Sequence, residues 1–124
     1  MINTAYKYIV LVPILFAQLN ASDYGSLLFH GNCVTCHFET KAVSAPSAIE
    51  IKERYTTAFS KKEDFVKYMS EWVKNPKEET SIMLDAIKKY ELMPYLHYDL
   101  ETLKEIADYI YETDFNKHHE GHEN

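Results

Sequence analysis

The side chains of this chain best able to do chemistry stand together in the segment HGNCVTCHFE, residues 30–39. Cys33 and Cys36 are its only cysteines, two residues lie between them, and His37 follows directly. Paired thiols at this spacing occur in redox dithiols, in zinc sites and in disulfides. A fourth kind of site uses His37 together with the two thiols, and it is considered after these three.

Each of the three simpler alternatives leaves part of the segment unexplained. A thioredoxin-like dithiol follows a strand in a βαβ unit, whereas the surrounding pattern here is helical. Tetrahedral zinc needs four ligands. The chain has no second cysteine pair, although His30, His37 and the histidines of the C-terminal tail could supply nitrogen atoms. A disulfide between Cys33 and Cys36 would close a tiny loop and add little stability.

The pattern C-x-x-C-H uses all three side chains when it is interpreted as a haem-attachment segment. Two thiols can add to the two vinyl groups of haem and form thioether bonds, and two intervening residues span the separation that the porphyrin sets. The next residue, His37, is then placed beneath the iron as its proximal ligand. We therefore predict one covalently attached haem c, held by Cys33 and Cys36.

Residues 1–21 have the composition of an export signal. Lys7 supplies a positive charge, and the run YIVLVPILFA, residues 8–17, is continuously apolar but short for a membrane span. The sequence LNA-SD predicts cleavage after Ala21. Leu19 is larger than the residue preferred at that site, so an uncleaved membrane anchor is one alternative. A buried core helix is another. We expect a periplasmic or otherwise exported protein, in agreement with haem attachment outside the cytoplasm.

The composition of the remaining chain predicts one packed helical domain, residues 22–115, followed by a polar tail, residues 116–124. Aromatic residues make up 14% of the chain, with only 3 Gly and 4 Pro, which favours helices over a many-turned sheet. The formal net charge of −6 disfavours a nucleic-acid partner and favours redox proteins with basic docking patches. The tail histidines could bind a divalent metal, but a solvated end is the simpler interpretation.

Hydrophobic periodicity predicts four or so short helices with long loops between them. The predicted helices cover residues 23–33, 60–74, 78–90 and 99–112, and Asn75-Pro76 is predicted to end the second of them. Ser60 and Glu63 form an S-x-x-E capping box for the second helix, and Asp99 is a good N-cap for the last. We expect residues 38–55 to form an ordered loop, with at most a short helical turn around residues 49–55, because Ala45-Pro46 disfavours helix.

Two of these helices have clear apolar faces. The second carries Phe65, Met69, Trp72 and Val73 at helical spacing. The last carries Leu100, Leu103, Ile106, Ala107 and Ile110 at spacings of three and four. These residues are predicted to form much of the protein core.

With these elements in place, the chain resembles the small class I, mitochondrial-like monohaem cytochromes c, from about residue 23 to residue 112. Besides C-x-x-C-H, it has Gly25 and Phe29 eight and four residues before Cys33. In that family the glycine allows the C-terminal helix to cross closely, and Ile106 and Tyr109 are similar to residues of that helix. The resemblance implies an all-α, cytochrome c-like fold wrapped around one covalently bound haem.

The resemblance also implies two further site residues. Pro46 is similar to the family proline whose carbonyl accepts a hydrogen bond from the ligand histidine. Met93-Pro94, in a predicted loop, resembles the motif that supplies the sixth iron ligand. Among the other residues that could reach the iron, Met83 and His97 remain alternatives, as does an open sixth position. Met69 is predicted to be a core residue, and His30 a surface or capping histidine. Aromatic residues that could form the haem wall or the ordinary core are Trp72, Tyr90 and Tyr95.

A six-coordinate iron has no vacant position, so the resemblance implies a single-electron carrier between redox proteins and no enzymatic activity. One alternative is a haem protein with an open sixth position, acting as a gas sensor or as the small haem subunit of a larger oxidoreductase. Another is a zinc or dithiol protein. Haem would be buried among Phe29, Leu92 and Ile106, so we expect the chain to fold poorly without it.

Overall fold

The computed structural model describes residues 21–117, and this range contains five α-helices, one 3-10 turn and no strand. The elements are α1 (Ala21–Asn32), α2 (Ala48–Ala58), α3 (Lys62–Lys74), the 3-10 turn Glu78–Thr80, α4 (Leu84–Tyr90) and α5 (Leu100–Glu112). The all-α prediction is confirmed for this range. The predicted signal segment lies outside it except for Ala21, as does the predicted tail except for residues 116 and 117.

Helices α1 and α5 cross at Gly25. A Cβ atom built on this glycine would lie 2.7 Å from the carbonyl oxygen of Glu105 and 2.7 Å from Cβ of Tyr109, closer than real side chains approach. Phe29, one turn further along α1, is 1% exposed and packs its ring 5.5 Å from that of Tyr109. The close helix crossing expected at Gly25 is therefore present.

Helix α5 packs against α1 and α3 and forms the centre of the core. Of its predicted inward face, Leu103, Ile106, Ala107 and Ile110 are buried and Leu100 is half-buried. The predicted N-cap is confirmed: a carboxylate oxygen of Asp99 accepts the backbone N–H of Thr102 at 2.9 Å, and the other accepts its hydroxyl at 2.7 Å. This cap satisfies one of the free N–H groups at the helix start.

The cap makes a prediction about acid stability. The hydrogen bonds from the backbone N–H and then the hydroxyl of Thr102 lower the pKa of Asp99 below its usual 3.8. Because the folded pKa lies below the unfolded one, this carboxylate stabilises the fold above pH 3.8, and the contribution is lost as pH falls through the folded pKa. Asp99→Asn keeps a good N-cap but cannot titrate.

We expect the thermal midpoints of wild type and Asp99→Asn to be similar at neutral pH. Below pH 3.8 the wild type should lose stability relative to the variant. Thermal unfolding followed by circular dichroism at several pH values measures this, and a constant offset between the two proteins would contradict the assignment.

The prediction for residues 38–55 is correct only in part. The short helical turn expected around residues 49–55 is present but belongs to a longer helix, α2, which covers residues 48–58. Ser47 is the N-cap, and its hydroxyl accepts the N–H of Glu50 at 3.3 Å. Ser47 and Glu50 have the S-x-x-E spacing of a helix start, and Pro46 precedes the helix without entering it. This sequence signal could have located α2.

Two other helix boundaries also differ from the predictions. The capping box at Ser60 and Glu63 is not formed, because α3 begins at Lys62 after an N-cap at Lys61 that makes no side-chain cap. The helix expected over residues 78–90 is interrupted before α4. There the hydroxyl of Ser81 accepts the N–H of Met83 at 3.0 Å, a local bond that competes with helical hydrogen bonding. The predicted end of α3 before Asn75-Pro76 is confirmed.

No helix within residues 21–117 combines the length and the apolar character needed to cross a bilayer.

Candidate functional site

A single apolar cleft contains the predicted site residues. It has a cavity volume of about 250 Å³, and all five α-helices contribute to its walls. The buried part of its lining is mainly aliphatic and aromatic, including Phe29, Tyr55, Met69, Ile106 and Ile110. A second, more open recess between α2 and residues 113–116 contains none of the predicted site residues.

Cys33, Cys36 and His37 line this cleft together. The segment forms a turn directly after α1, because the carbonyl of Cys33 accepts both the N–H of Cys36 at 3.1 Å and that of His37 at 2.8 Å. The turn brings both thiols and the imidazole to one side of the chain. Cys33 is half-buried, Cys36 is exposed, and both are free thiols.

Burial, assisted by the neighbouring Cys36, raises the pKa of Cys33 to about 11. The thiol of Cys33 is therefore protonated at neutral pH. Redox dithiols of the C-x-x-C type activate one cysteine by lowering its pKa, so that it attacks as a thiolate. The environment of Cys33 shifts its pKa in the opposite direction, so Cys33 is not suited to be the attacking thiol of such a pair.

His37 is held in one tautomer by Pro46. Its Nδ1 lies 2.8 Å from the carbonyl oxygen of Pro46, and because a carbonyl can only accept, Nδ1 carries the proton and donates. Burial lowers the pKa of His37 below its usual 6.5, although the hydrogen bond to Pro46 opposes this shift. The imidazole is therefore neutral at pH 7, and Nε2 keeps the lone pair that a metal ligand needs.

Three methionines line the cleft, and they differ in burial. Met69 and Met83 are buried, whereas Met93 is half-buried in the segment between α4 and α5. Met69 lies on the inner face of α3, as predicted for a core residue. Met83 lies just outside α4, not within a helix as expected. All three sulfur atoms therefore remain candidates for a second axial ligand, with Met93 the one that the sequence motif favours.

The histidines considered as alternatives do not line the cleft. His97 is exposed and places its ring 4.2 Å from that of Tyr95. His30 is exposed as well; its Nδ1 lies 2.8 Å from the carbonyl of Ser26 and its Nε2 lies 2.8 Å from Oε1 of Glu39. Within residues 21–117, no three His, Cys, Asp or Glu side chains are arranged to hold a metal ion, so the zinc alternative has no ligand set there.

Of the aromatic residues predicted as wall or core, Trp72 and Tyr90 line the cleft and Tyr95 does not. The indole N–H of Trp72 donates to the carbonyl of Lys77 at 2.9 Å, which fixes the ring. Leu92 also lines the cleft, but 43% of its surface is exposed, so it is not buried as the sequence analysis expected.

Two polar residues that line the cleft, Asn32 and Tyr98, were not identified by the sequence analysis. The hydroxyl of Tyr98 donates to Oδ1 of Asn32 at 2.7 Å, although the two residues are 66 positions apart. Asn32 ends α1 next to Cys33, and Tyr98 follows the Met93 segment. Nothing in the local pattern of either residue indicates this contact, because only the tertiary fold brings the two residues together.

The donor atoms in the cleft are suited to covalent haem. Two adjacent thiols can form thioether bonds, a neutral imidazole offers Nε2, and a methionine sulfur from a distant segment lines the same apolar space. A comparison with protein-family models, with curated proteins and with solved structures found no match for this chain. Any functional assignment therefore depends on the residues of the cleft and on their geometry.

Proposed function

We propose that this protein is a c-type cytochrome of cytochrome c-like fold that carries single electrons between redox proteins outside the cytoplasm. The supporting observation is the position of four side chains. Cys33, Cys36 and His37 share one apolar cleft with Met93, which lies far along the sequence. Haem, when bound, supplies the one-electron chemistry of iron; the chain supplies attachment, ligands and a dry environment.

Each side chain then has one task. Cys33 and Cys36 would anchor the porphyrin, and His37 would offer Nε2 to the iron, because its hydrogen bond to Pro46 holds the ring in the required tautomer. Met93 would offer sulfur, a soft and weakly donating ligand that favours the ferrous form and raises the reduction potential. Iron held by both residues would accept and release an electron without binding a substrate.

The residues that line the cleft differ in exposure in a way that suits electron transfer. Some of them, such as Phe29 and Ala107, are fully buried in the protein core. Cys36, in contrast, is exposed. A group attached through Cys36 would therefore have one edge near the protein surface, where a partner could approach. The formal net charge of −6 favours partners with basic docking patches.

The test is an absorption spectrum of holoprotein made with export and haem-attachment machinery, recorded oxidised and then reduced. We expect c-type haem bands and, in the ferric form, the weak far-red band of sulfur–iron coordination. Met93→Leu should abolish that band. Met83→Leu and Met69→Leu, the same near-isosteric change at the other two cleft methionines, should retain it.

Carbon monoxide separates this proposal from its rival. The reduced wild type should not bind carbon monoxide, whereas reduced Met93→Leu should bind it, because the sulfur ligand would then be missing. Fast binding by the wild type would favour a gas sensor or a subunit of a larger oxidoreductase. If Met83→Leu loses the band and Met93→Leu keeps it, the sulfur ligand is Met83 and not Met93.

A further inference from the structure

The segment that carries Met93 is tied to the rest of the protein at Tyr98. The hydroxyl of Tyr98 donates to Oδ1 of Asn32 at 2.7 Å, and Nδ2 of Asn32 donates to the carbonyl of Leu28 at 2.7 Å. The backbone carbonyl of Tyr98 accepts a hydrogen bond from Nζ of Lys74 at 2.5 Å. One residue is thus bound to α1 through its side chain and to α3 through its backbone.

The next residue adds a third attachment. Asp99 caps α5 through its hydrogen bonds to Thr102. Residues 98 and 99 therefore connect three helices that line the cleft, and Asn32 is the residue directly before Cys33. The predicted sulfur ligand, Met93, lies five residues before Tyr98, and one hydrogen bond joins Tyr98 to the residue that precedes the predicted attachment turn.

The backbone on either side of Met93 is strained. Glu91 has a φ of 71° and His97 has a φ of 62°, values in the left-handed region that residues with a side chain rarely adopt. Such conformations persist when the surrounding contacts enforce them, and they concentrate in segments with a functional constraint. His97 directly precedes Tyr98, so the attachments of Tyr98 are the contacts that hold this end of the segment.

We propose that Tyr98 is a positioning residue that holds residues 91–99, and with them the sulfur of Met93, over the cleft. The inference depends on the proposed function, because it concerns the ligand that Met93 supplies. Without the hydroxyl of Tyr98 the strained segment would be attached by one contact fewer, and the state in which the sulfur has left the iron would become more populated. The ring of Tyr98 also lines the cleft, so the experiment must remove the hydroxyl and keep the ring.

The test measures how tightly imidazole binds to ferric holoprotein. Imidazole can take the sixth position only when the sulfur has left, so its apparent affinity reports the fraction of open molecules. Removing one hydrogen bond of ordinary strength in Tyr98→Phe should increase that affinity about twofold to tenfold. Tyr95→Phe is the matched control, because Tyr95 lies in the same segment, is 51% exposed and makes no hydrogen bond through its hydroxyl with any residue of the range 21–117; its affinity should not change.

Two further variants make the assignment specific. Asn32→Ala removes the same bond from the other side and also the bond from Nδ2 to the carbonyl of Leu28, so it should raise the affinity at least as much. Adding Tyr98→Phe to Asn32→Ala should change the affinity little, because the shared bond is already lost. In a Met93→Leu background there is no sulfur to hold, so Tyr98→Phe should leave imidazole affinity unchanged. An effect that persists in this background would show a merely structural role and overturn the inference.

The remaining outcomes separate the inference from the function it depends on. If wild type has the far-red sulfur–iron band and Tyr98→Phe binds imidazole no better than Tyr95→Phe, the positioning role fails and the electron carrier stands. If wild type lacks the band altogether, the ligand assignment fails, and the positioning role fails with it. If Tyr98→Phe does not yield folded protein, Asn32→Ala with its own Met93→Leu background decides the question by the same criteria.

Discussion

A protein in which both Cys33 and Cys36 are replaced by serine is expected to retain no haem after denaturation. A serine hydroxyl does not form the thioether bonds that the two thiols can form, so the group could be held only by the cleft and by the ligands His37 and Met93. Haem staining after denaturing electrophoresis measures the attached fraction. We expect a strong signal from wild type and none from the double variant.

Variants that keep one or both thiols serve as controls for the double variant. The single variants Cys33→Ser and Cys36→Ser each leave one thiol and should keep part of the covalent signal. Thr35→Ser, between the two cysteines and exposed, should keep all of it. A covalent signal of wild-type strength from the double variant would contradict attachment at this motif and leave the cysteine pair free for other chemistry.

The second large effect concerns the crossing of α1 and α5. Gly25→Ala places a Cβ atom 2.7 Å from a backbone oxygen of Glu105, which cannot move aside as a flexible side chain could. Overpacking of this kind costs typically about 1–3 kcal/mol. We expect the free energy of unfolding of the holoprotein, measured by denaturant titration, to fall by about that amount.

Gly31→Ala is the matched control in the same helix. A Cβ atom at Gly31 meets nothing within 4 Å, and alanine is the better helix former by up to about 1 kcal/mol. The two identical substitutions should therefore have opposite signs. If both stabilise the protein, the helices do not approach closely at Gly25; if both destabilise it, the cause is not the crossing.

The sequence predicted those parts of the fold that local patterns determine. The apolar face of α5, its cap at Asp99 and the end of α3 before Asn75-Pro76 all follow from residues within one or two turns of each other. Helix α2 was predicted only as a short turn, because its apolar period is weak and the capping signal at Ser47 was not used. The break before α4 depends on a single competing hydroxyl, that of Ser81, which periodicity does not detect.

The sequence identified the candidate site residues but only part of their geometry. C-x-x-C-H names its three side chains by spacing alone, and the expected contact between His37 and Pro46 is present at 2.8 Å. Three methionines lining one cleft and the bond between Asn32 and Tyr98 join segments far apart in the chain. Such contacts depend on how the helices pack, which single-residue patterns do not specify.

The crossing at Gly25 also constrains the order of folding. Helices α1 and α5 are the first and last of the described chain, so their contact must close a loop that contains every other helix. Closing a long loop costs entropy before any contact repays it, and folding slows as contacts become more distant in sequence. A chain emerging from its N-terminal end therefore exposes Cys33 and Cys36 well before α5 can dock. In the proposed cytochrome, attachment would therefore act on this open chain, and the docking of the last helix would close the cleft afterwards.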